Sequence, residues 1–191
     1  MRRSAAFLYL KETRSSFEVK REKRGAHKAQ RFADLLREAE ADRPLSEGRF
    51  AELQQAVLDA RFREFSYRTR QNWIGRDLGH REKIDFVPAH PEDVFDLMQG
   101  LVELSETFRA KPESIDPVVI AAALSFGFVF IHRFMGGNGR LHRYLMHEML
   151  SSAGFTPKGI VLPVSAVILP NLDTYVHALE RFSRSLHART R

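Results

Sequence analysis

Apolar residues recur at three- and four-residue spacing along most of this 191-residue chain, the signature of helices that bury one face. The spacing predicts helices near residues 5–18, 26–41, 47–64, 91–109, 116–131, 139–152 and 171–186. Leu53, Val57 and Phe62 carry the pattern in the third of these, and Val94, Leu97, Met98, Leu101 and Leu104 in the fourth. Asp116 before Pro117 marks a helix start, a capping carboxylate followed by proline at the first helical position, and Gly154 after Leu150 marks a stop. The stretch 117–131 is apolar on every side and is expected at the centre of a bundle. Residues 67–86 resist the helical pattern; Gly75 and Gly79 separate two short segments, and a hairpin or flap is expected there. The fold class is therefore all-α with a short β-hairpin, and no repeat or linker divides the chain, so residues 1–191 are expected to form one domain.

Composition narrows the function classes. Hydrophobic residues make up 43% of the chain, enough for one sizeable core. The absence of cysteine excludes disulfides, thiolate zinc sites and a cysteine nucleophile, and the cytoplasm is the expected location. The apolar patch of residues 5–10 is too short for a signal-peptide core and runs directly into Lys11, Glu12 and Arg14. No run approaches the ~18 consecutive apolar residues of a membrane span. The net charge of +6 invites a nucleic-acid reading, but its distribution argues against one. Residues 1–50 hold 13 Lys/Arg against 8 Asp/Glu, residues 51–180 hold 13 against 16, and residues 181–191 hold 4 against 0. Basic ends around an acidic middle fit solvated faces better than a clustered phosphate footprint.

Candidate chemistry concentrates in residues 130–150, FIHRFMGGNGRLHRYLMHEML. A buried helix ending at His132 is followed by a glycine-rich turn and a second helix opening at Asn138 or Gly139. Unsatisfied N–H groups and the positive end of the helix dipole favour an anion there, and Gly136, Gly137 and Gly139 allow close approach of a phosphate. Arg140 and Arg143, three residues apart, share a face and can clamp further phosphate oxygens. His132 stands beside this site as a candidate general base, and Phe134 is expected to anchor the loop in the core. A glycine-rich loop can also be no more than a tight helix connection. His142, His147 and Glu148 do not form a metal face, because histidines five residues apart lie about 140° apart around the axis. Phe126, Phe128 and Phe130 are expected in the core, and Arg181, Arg184, Arg189 and Arg191 at a solvated end.

The stretch His132-Arg133-Phe134-Met135-Gly136-Gly137-Asn138-Gly139-Arg140-Leu141-His142-Arg143 resembles the Fic signature, H-x-F-x-[DE]-G-N-G-R-x-x-R, at seven of its eight specified positions. The flanks extend the resemblance. Residues 67–75 with Asp85-Phe86-Val87-Pro88 are similar to the family's flap and the start of its next helix, and residues 154–165 are similar to the segment after the motif helix. Residues 45–191 are thus expected to be a Fic core, and residues 1–44 an arm similar to the family's inhibitory helix. The resemblance implies a Fic-fold bundle that transfers AMP from ATP, with magnesium, to a Ser, Thr or Tyr hydroxyl of a protein. His132 would be the general base, Gly137, Asn138 and Gly139 the anion-binding turn, and Arg140 and Arg143 the clamps on the β- and γ-phosphates. Trp73, Ile74 and Gly75 would align the protein target at the flap by strand addition.

Two departures qualify what the resemblance implies. Gly136 stands where relatives place the carboxylate that holds magnesium, and it has no ligand to give. A loss of about a hundredfold in rate or more is expected, while ATP can still carry magnesium on its own phosphates. Relatives with a built-in brake carry [ST]-x-x-x-E-[GN], whose glutamate pairs with the second motif arginine. Here the alignment runs from Ser16 to Arg21 and places Lys20 at the glutamate position. Glu18 and Glu22 are two residues out of register, about 200° around a helix, so the glutamate brake is expected to be absent. Two further classes stay open on sequence: a Fic-fold module that binds a nucleotide or partner without transfer, and a basic nucleic-acid-binding protein.

Overall fold

A computed structural model describes residues 2–19, 26–39, 43–58, 60–77, 79–80 and 82–187. Helices α1 (Arg2–Val19), α2 (Ala26–Glu38) and α3 (Glu47–Val57) precede a hairpin of β1 (Ile74–Asp77) and β2 (Glu82–Phe86); α4 (Val94–Ala110), α5 (Pro117–Ile131), α6 (Asn138–Ser152), α7 (Val164–Ile168) and α8 (Leu172–His187) come after it. The helical periodicity and the flap in the sequence both appear at the expected places. Among the described residues no helix is long and apolar enough to cross a membrane.

Antiparallel α5 and α6 form the centre, joined by the glycine-rich loop, with α3 and α4 packed on them. Asp116 caps α5 by accepting the N–H groups of Val118 at 2.8 Å and Val119 at 3.3 Å, with Pro117 in the first turn. Gly154 ends the turn after α6 at φ +68°, and Phe155 N–H returns to the Leu150 carbonyl at 3.0 Å. Phe50 stacks on Phe128 with ring centroids 5.3 Å apart, tying α3 to α5 over the buried side chains of Leu53, Phe134 and Tyr144. Phe126 and Phe130 pack as expected into a second aromatic group with Phe86, Tyr175 and Phe182.

Two expectations need correction, and one short helix lies outside them. α5 is not covered on every side: Val118 and Val119 in its first turn are 49% and 58% exposed, because its neighbours pack on the later turns. The helix expected over 47–64 stops at Val57, where Leu58 turns extended at φ −110° and ψ 157°. A short helix, α7, begins after Pro163 and packs against α1, and no long apolar period announced it.

Ile74 pairs with Phe86 and Gly75 with Ile84 across the flap, with a bulge between Ile74 and Gly75. A Cβ at Gly75 would stand 2.7 Å from the Lys83 carbonyl oxygen, so glycine is required at this crossing. Trp73 is half exposed and donates its indole N–H to Glu82 Oε1 at 2.8 Å. The two strands of the flap form a two-stranded antiparallel sheet.

Candidate functional site

His132 closes α5 in the left-handed region, at φ 55° and ψ 56°, the one described non-glycine residue with positive φ. That conformation costs roughly 1–2 kcal/mol for a residue with a Cβ, so the surrounding structure must impose it. Arg68 does so from the segment before the flap. Its Nε donates to the His132 carbonyl at 2.7 Å, its Nη2 to the carbonyls of Ala89 and Ile131, and its backbone N–H to the Arg133 carbonyl at 3.0 Å. The imidazole is buried, with Nδ1 3.0 Å from the Val129 carbonyl. A carbonyl partner assigns the proton to Nδ1 and makes Nε2 the basic nitrogen of the neutral ring.

The loop beyond it is clamped at both ends. Asn138 Oδ1 accepts the Phe134 N–H at 3.1 Å, and its Nδ2 donates to the Phe134 carbonyl at 2.6 Å. Asn72 Nδ2 reaches the same carbonyl at 3.2 Å, which couples the loop to the flap. Both carboxylate oxygens of Glu64 accept the Met135 N–H at 3.1 Å, and Gln54 braces that carboxylate from α3. Phe134 is fully buried, as expected of an anchor.

Gly137 begins α6 at φ +88°, with no side chain capping the helix. Its carbonyl accepts the N–H groups of Arg140 and Leu141, and no acceptor among the described residues takes the N–H of Gly137, Asn138 or Gly139. N–H groups so placed, at the positive end of a helix, are chemically suited to an anion. Leu58 borders the turn: a Cβ at Gly136 or Gly137 would meet the leucine side chain at 3.6 or 3.5 Å.

The motif arginines lie on one side of α6 as expected, but α1 covers them. Arg140 donates from Nη1 to the Val57 carbonyl at 2.6 Å, and its guanidinium lies 5.1 Å from the Phe17 ring centroid. Arg143 donates from Nε and Nη2 to Ser16 Oγ at 3.1 and 2.8 Å, and from Nη2 to the Ser16 carbonyl at 3.1 Å. Burial pulls the Arg143 guanidinium below the usual arginine range, opposed by nearby Tyr175 and Glu12. Glu18 is exposed and pairs with Arg14 at 2.8 Å on the outer side of α1. Lys20 and Glu22 lie outside the described residues.

Glu12 fixes α1 to this face. Its carboxylate accepts Ser165 Oγ at 2.5 Å and Ser165 N–H at 2.8 Å, and stands 3.3 Å from His147 Nε2. Burial alone would raise its pKa; His147 and Ser165 together hold it below the ordinary carboxylate value. His142, fully buried, contacts the Ser125 carbonyl at 2.7 Å through Nδ1, and burial pushes its pKa down to about 4. Arg68, Glu64 and Glu12 thus shape the site without belonging to any sequence motif.

The donor set suits a triphosphate: free amide N–H groups, two nearby guanidiniums and a histidine with its basic nitrogen defined. It does not suit a magnesium ion held by the loop. Gly136 has no oxygen ligand in its side chain, Glu64 is committed to the Met135 N–H, and the described residues contain no cluster of three His, Cys, Asp or Glu able to hold a metal.

Residues 44–150 match the model of the Fic/DOC family. The chain is 38% identical over 73 residues to a protein adenylyltransferase Fic of Nematostella vectensis, covering 38% of this chain and 17% of the relative. It is 32% identical over 97 residues to protein adenylyltransferase fic-1 of Caenorhabditis elegans, covering 51% and 16%. A Fido domain-containing protein of Dictyostelium discoideum is 36% identical over 94 residues, 49% of this chain and 60% of that protein. The matches thus span less than two thirds of these relatives. In fold, the chain is similar to a Fic domain-containing signaling protein from Bacteroides thetaiotaomicron at TM-score 0.69 and 22% identity, covering 90% of this chain and 71% of that one. It is also similar to a Fic family protein from Desulfovibrio desulfuricans at TM-score 0.71 and 19% identity, covering 96% and 59%.

Proposed function

We propose, from the premise that the chain belongs to the Fic/DOC family, that it transfers AMP from ATP to a hydroxyl of a protein, slowly because of Gly136. The observation that carries the reading is His132, held in a strained backbone conformation at the edge of an unpaired amide nest, with its Nδ1 at the Val129 carbonyl. Relatives named as protein adenylyltransferases support the reaction class.

In this reading Nε2 of His132 takes the proton of the target hydroxyl as its oxygen bonds to the α-phosphorus. The bond from that phosphorus to the bridging oxygen breaks, and pyrophosphate leaves. The N–H groups of Gly137, Asn138 and Gly139 hold phosphate oxygens in place of water, so the dipoles are oriented before charge develops. Arg140 and Arg143 are the cations for the departing pyrophosphate. Both must leave their present partners, Val57 and Ser16, to reach it. Trp73, Ile74 and Gly75 at the flap would position the target backbone.

A second reading, a nucleotide-binding module without transfer, is favoured by Gly136 and by the engagement of both arginines by protein groups. The two separate in one experiment with α-labelled ATP, magnesium and a cell lysate. A transferase labels protein in a His132-dependent way. A module binds ATP and labels nothing.

A further inference from the structure

The flap and the end of α5 meet on one side chain. Arg68, 4% exposed, stands on the leg that enters the flap, and each nitrogen of its guanidinium donates to backbone carbonyls. Nη1 donates to Arg70 at 3.1 Å, on the same leg. Nη2 donates to Ala89, on the leg that leaves the flap, and to Ile131 at 3.3 Å; Nε donates to His132 at 2.7 Å. Both legs also meet the end of α5 through the backbone. Arg68 N–H donates to the Arg133 carbonyl at 3.0 Å, and Ala89 N–H to the Phe130 carbonyl at 3.1 Å. Gln71 Nε2 ties leg to leg at the Pro88 carbonyl, 3.3 Å away.

The chemistry of this junction calls for arginine. Carbonyls of both legs and of α5 converge there, at a helix C-terminus whose last carbonyls lack helical partners and whose dipole favours a cation. A guanidinium aims its N–H groups outward in one plane and reaches all of these segments; an ammonium donates from a single atom and does not. His132, one of the residues so held, has a left-handed backbone, and its ring is oriented by Nδ1 at the Val129 carbonyl, 3.0 Å away. That conformation is unfavourable for a residue with a Cβ, so it lasts only while its carbonyl is held. The leg that carries Arg68 and Arg70 runs on into Trp73, Ile74 and Gly75. A displacement of the flap is thereby passed to the His132 carbonyl.

We infer that Arg68 is a positioning residue that couples the flap to His132, so that the orientation and tautomer of the imidazole depend on where the flap stands. Its use in transfer rests on the proposed function, in which the flap seats the target and His132 takes the target's proton. A seated target then sets the base that acts on it.

Nuclear magnetic resonance reads this coupling without requiring transfer. Long-range proton–nitrogen correlation of the histidine rings, with His132 assigned by its loss in His132→Ala, should place the His132 proton on Nδ1 in the unmodified chain. Arg68→Lys and Arg68→Gln should move it mostly to Nε2. Arg49→Lys, which disturbs the buried bond to Tyr144 instead, should lower stability and leave the tautomer as it is. In a Gly136→Asp background, Arg68→Lys should slow transfer by roughly tenfold or more with KM for ATP unchanged. A folded Arg68→Lys or Arg68→Gln protein with the proton still on Nδ1 overturns the proposal, as does an Arg49→Lys protein that shifts it equally. Should neither Arg68 variant fold, Gly75→Ala decides. Its Cβ, 2.7 Å from the Lys83 carbonyl oxygen, displaces the flap, and His132 ring signals that stay in place contradict the coupling. If Gly136→Asp transfers nothing, the proposed function fails, and the tautomer still decides the role of Arg68.

Discussion

Ser16→Ala separates two effects that usually move together. The hydroxyl accepts two bonds from the Arg143 guanidinium, at 3.1 and 2.8 Å, and the carbonyl of the same residue accepts a third. Alanine removes the first two and keeps the last. Each hydrogen bond to a charged group contributes roughly 1.5–3 kcal/mol; they share one acceptor here, so a loss of about 2–3 kcal/mol is expected. For a chain of this size, each kcal/mol shifts the midpoint by about 2–4 °C, which places the expected drop in Tm at roughly 4–12 °C. Arg143 is then the weakest-held motif arginine and the cheapest to turn toward phosphate. Equilibrium titration with a fluorescent ATP analogue should therefore show tighter binding in Ser16→Ala than in the unmodified chain, despite the lower Tm. Ser16→Thr, which keeps the hydroxyl, should restore both values. Equal or weaker nucleotide affinity in a folded Ser16→Ala protein would refute the idea that α1 and phosphate compete for Arg143.

Two other predictions concern buried polar groups. The pKa of His142 falls from 6.5 to about 4 on folding, so between those values the unfolded chain binds the proton and the folded one does not. Stability is then full above about pH 6.5 and falls as pH drops toward 4, by up to about 3 kcal/mol. Urea titrations across this range should show the slope, and His142→Gln should remove most of it. The carboxylate of Glu12, favoured in the fold, adds its own loss only at lower pH, as it protonates. Asn138→Ala removes both bonds to Phe134 and should cost about 2–4 kcal/mol, read by chemical denaturation. Asn138→Asp should cost at least as much, because it sets a carboxylate oxygen against the Phe134 carbonyl.

Much of this arrangement is legible from local rules. The Asp116-Pro117 start, the Gly154 stop and the flap glycines each arise from a backbone requirement that few residues meet, and the structure uses them in that way. The glycine turn before α6 is legible for the same reason, since Gly137 takes φ +88° there. What the sequence conceals depends on partners distant along the chain. Periodicity carries α3 past Val57, yet Leu58 is pulled extended where Arg140 takes the Val57 carbonyl and the leucine side chain borders Gly136 and Gly137. Glu12 looks like an ordinary surface glutamate among Lys11 and Arg14, and only the arrival of His147 and Ser165 makes it a buried tie. Arg68 and Glu64 are single polar residues in an irregular stretch, and no spacing marks them as supports of the motif loop.

The central claim is that the loop and base are competent and that Gly136 limits the rate. Gly136→Asp tests it with little structural disturbance, because φ is not positive there and a Cβ meets only Leu58, at an ordinary 3.6 Å. Transfer from α-labelled ATP with magnesium should be compared in the unmodified chain, Gly136→Asp and Gly136→Asp/His132→Ala. The account predicts labelling about a hundredfold faster in Gly136→Asp, equivalent to about 2.7 kcal/mol, and its loss in the double variant. Folded Gly136→Asp protein that labels no faster than the unmodified chain, or a double variant that labels as fast as Gly136→Asp, would contradict it.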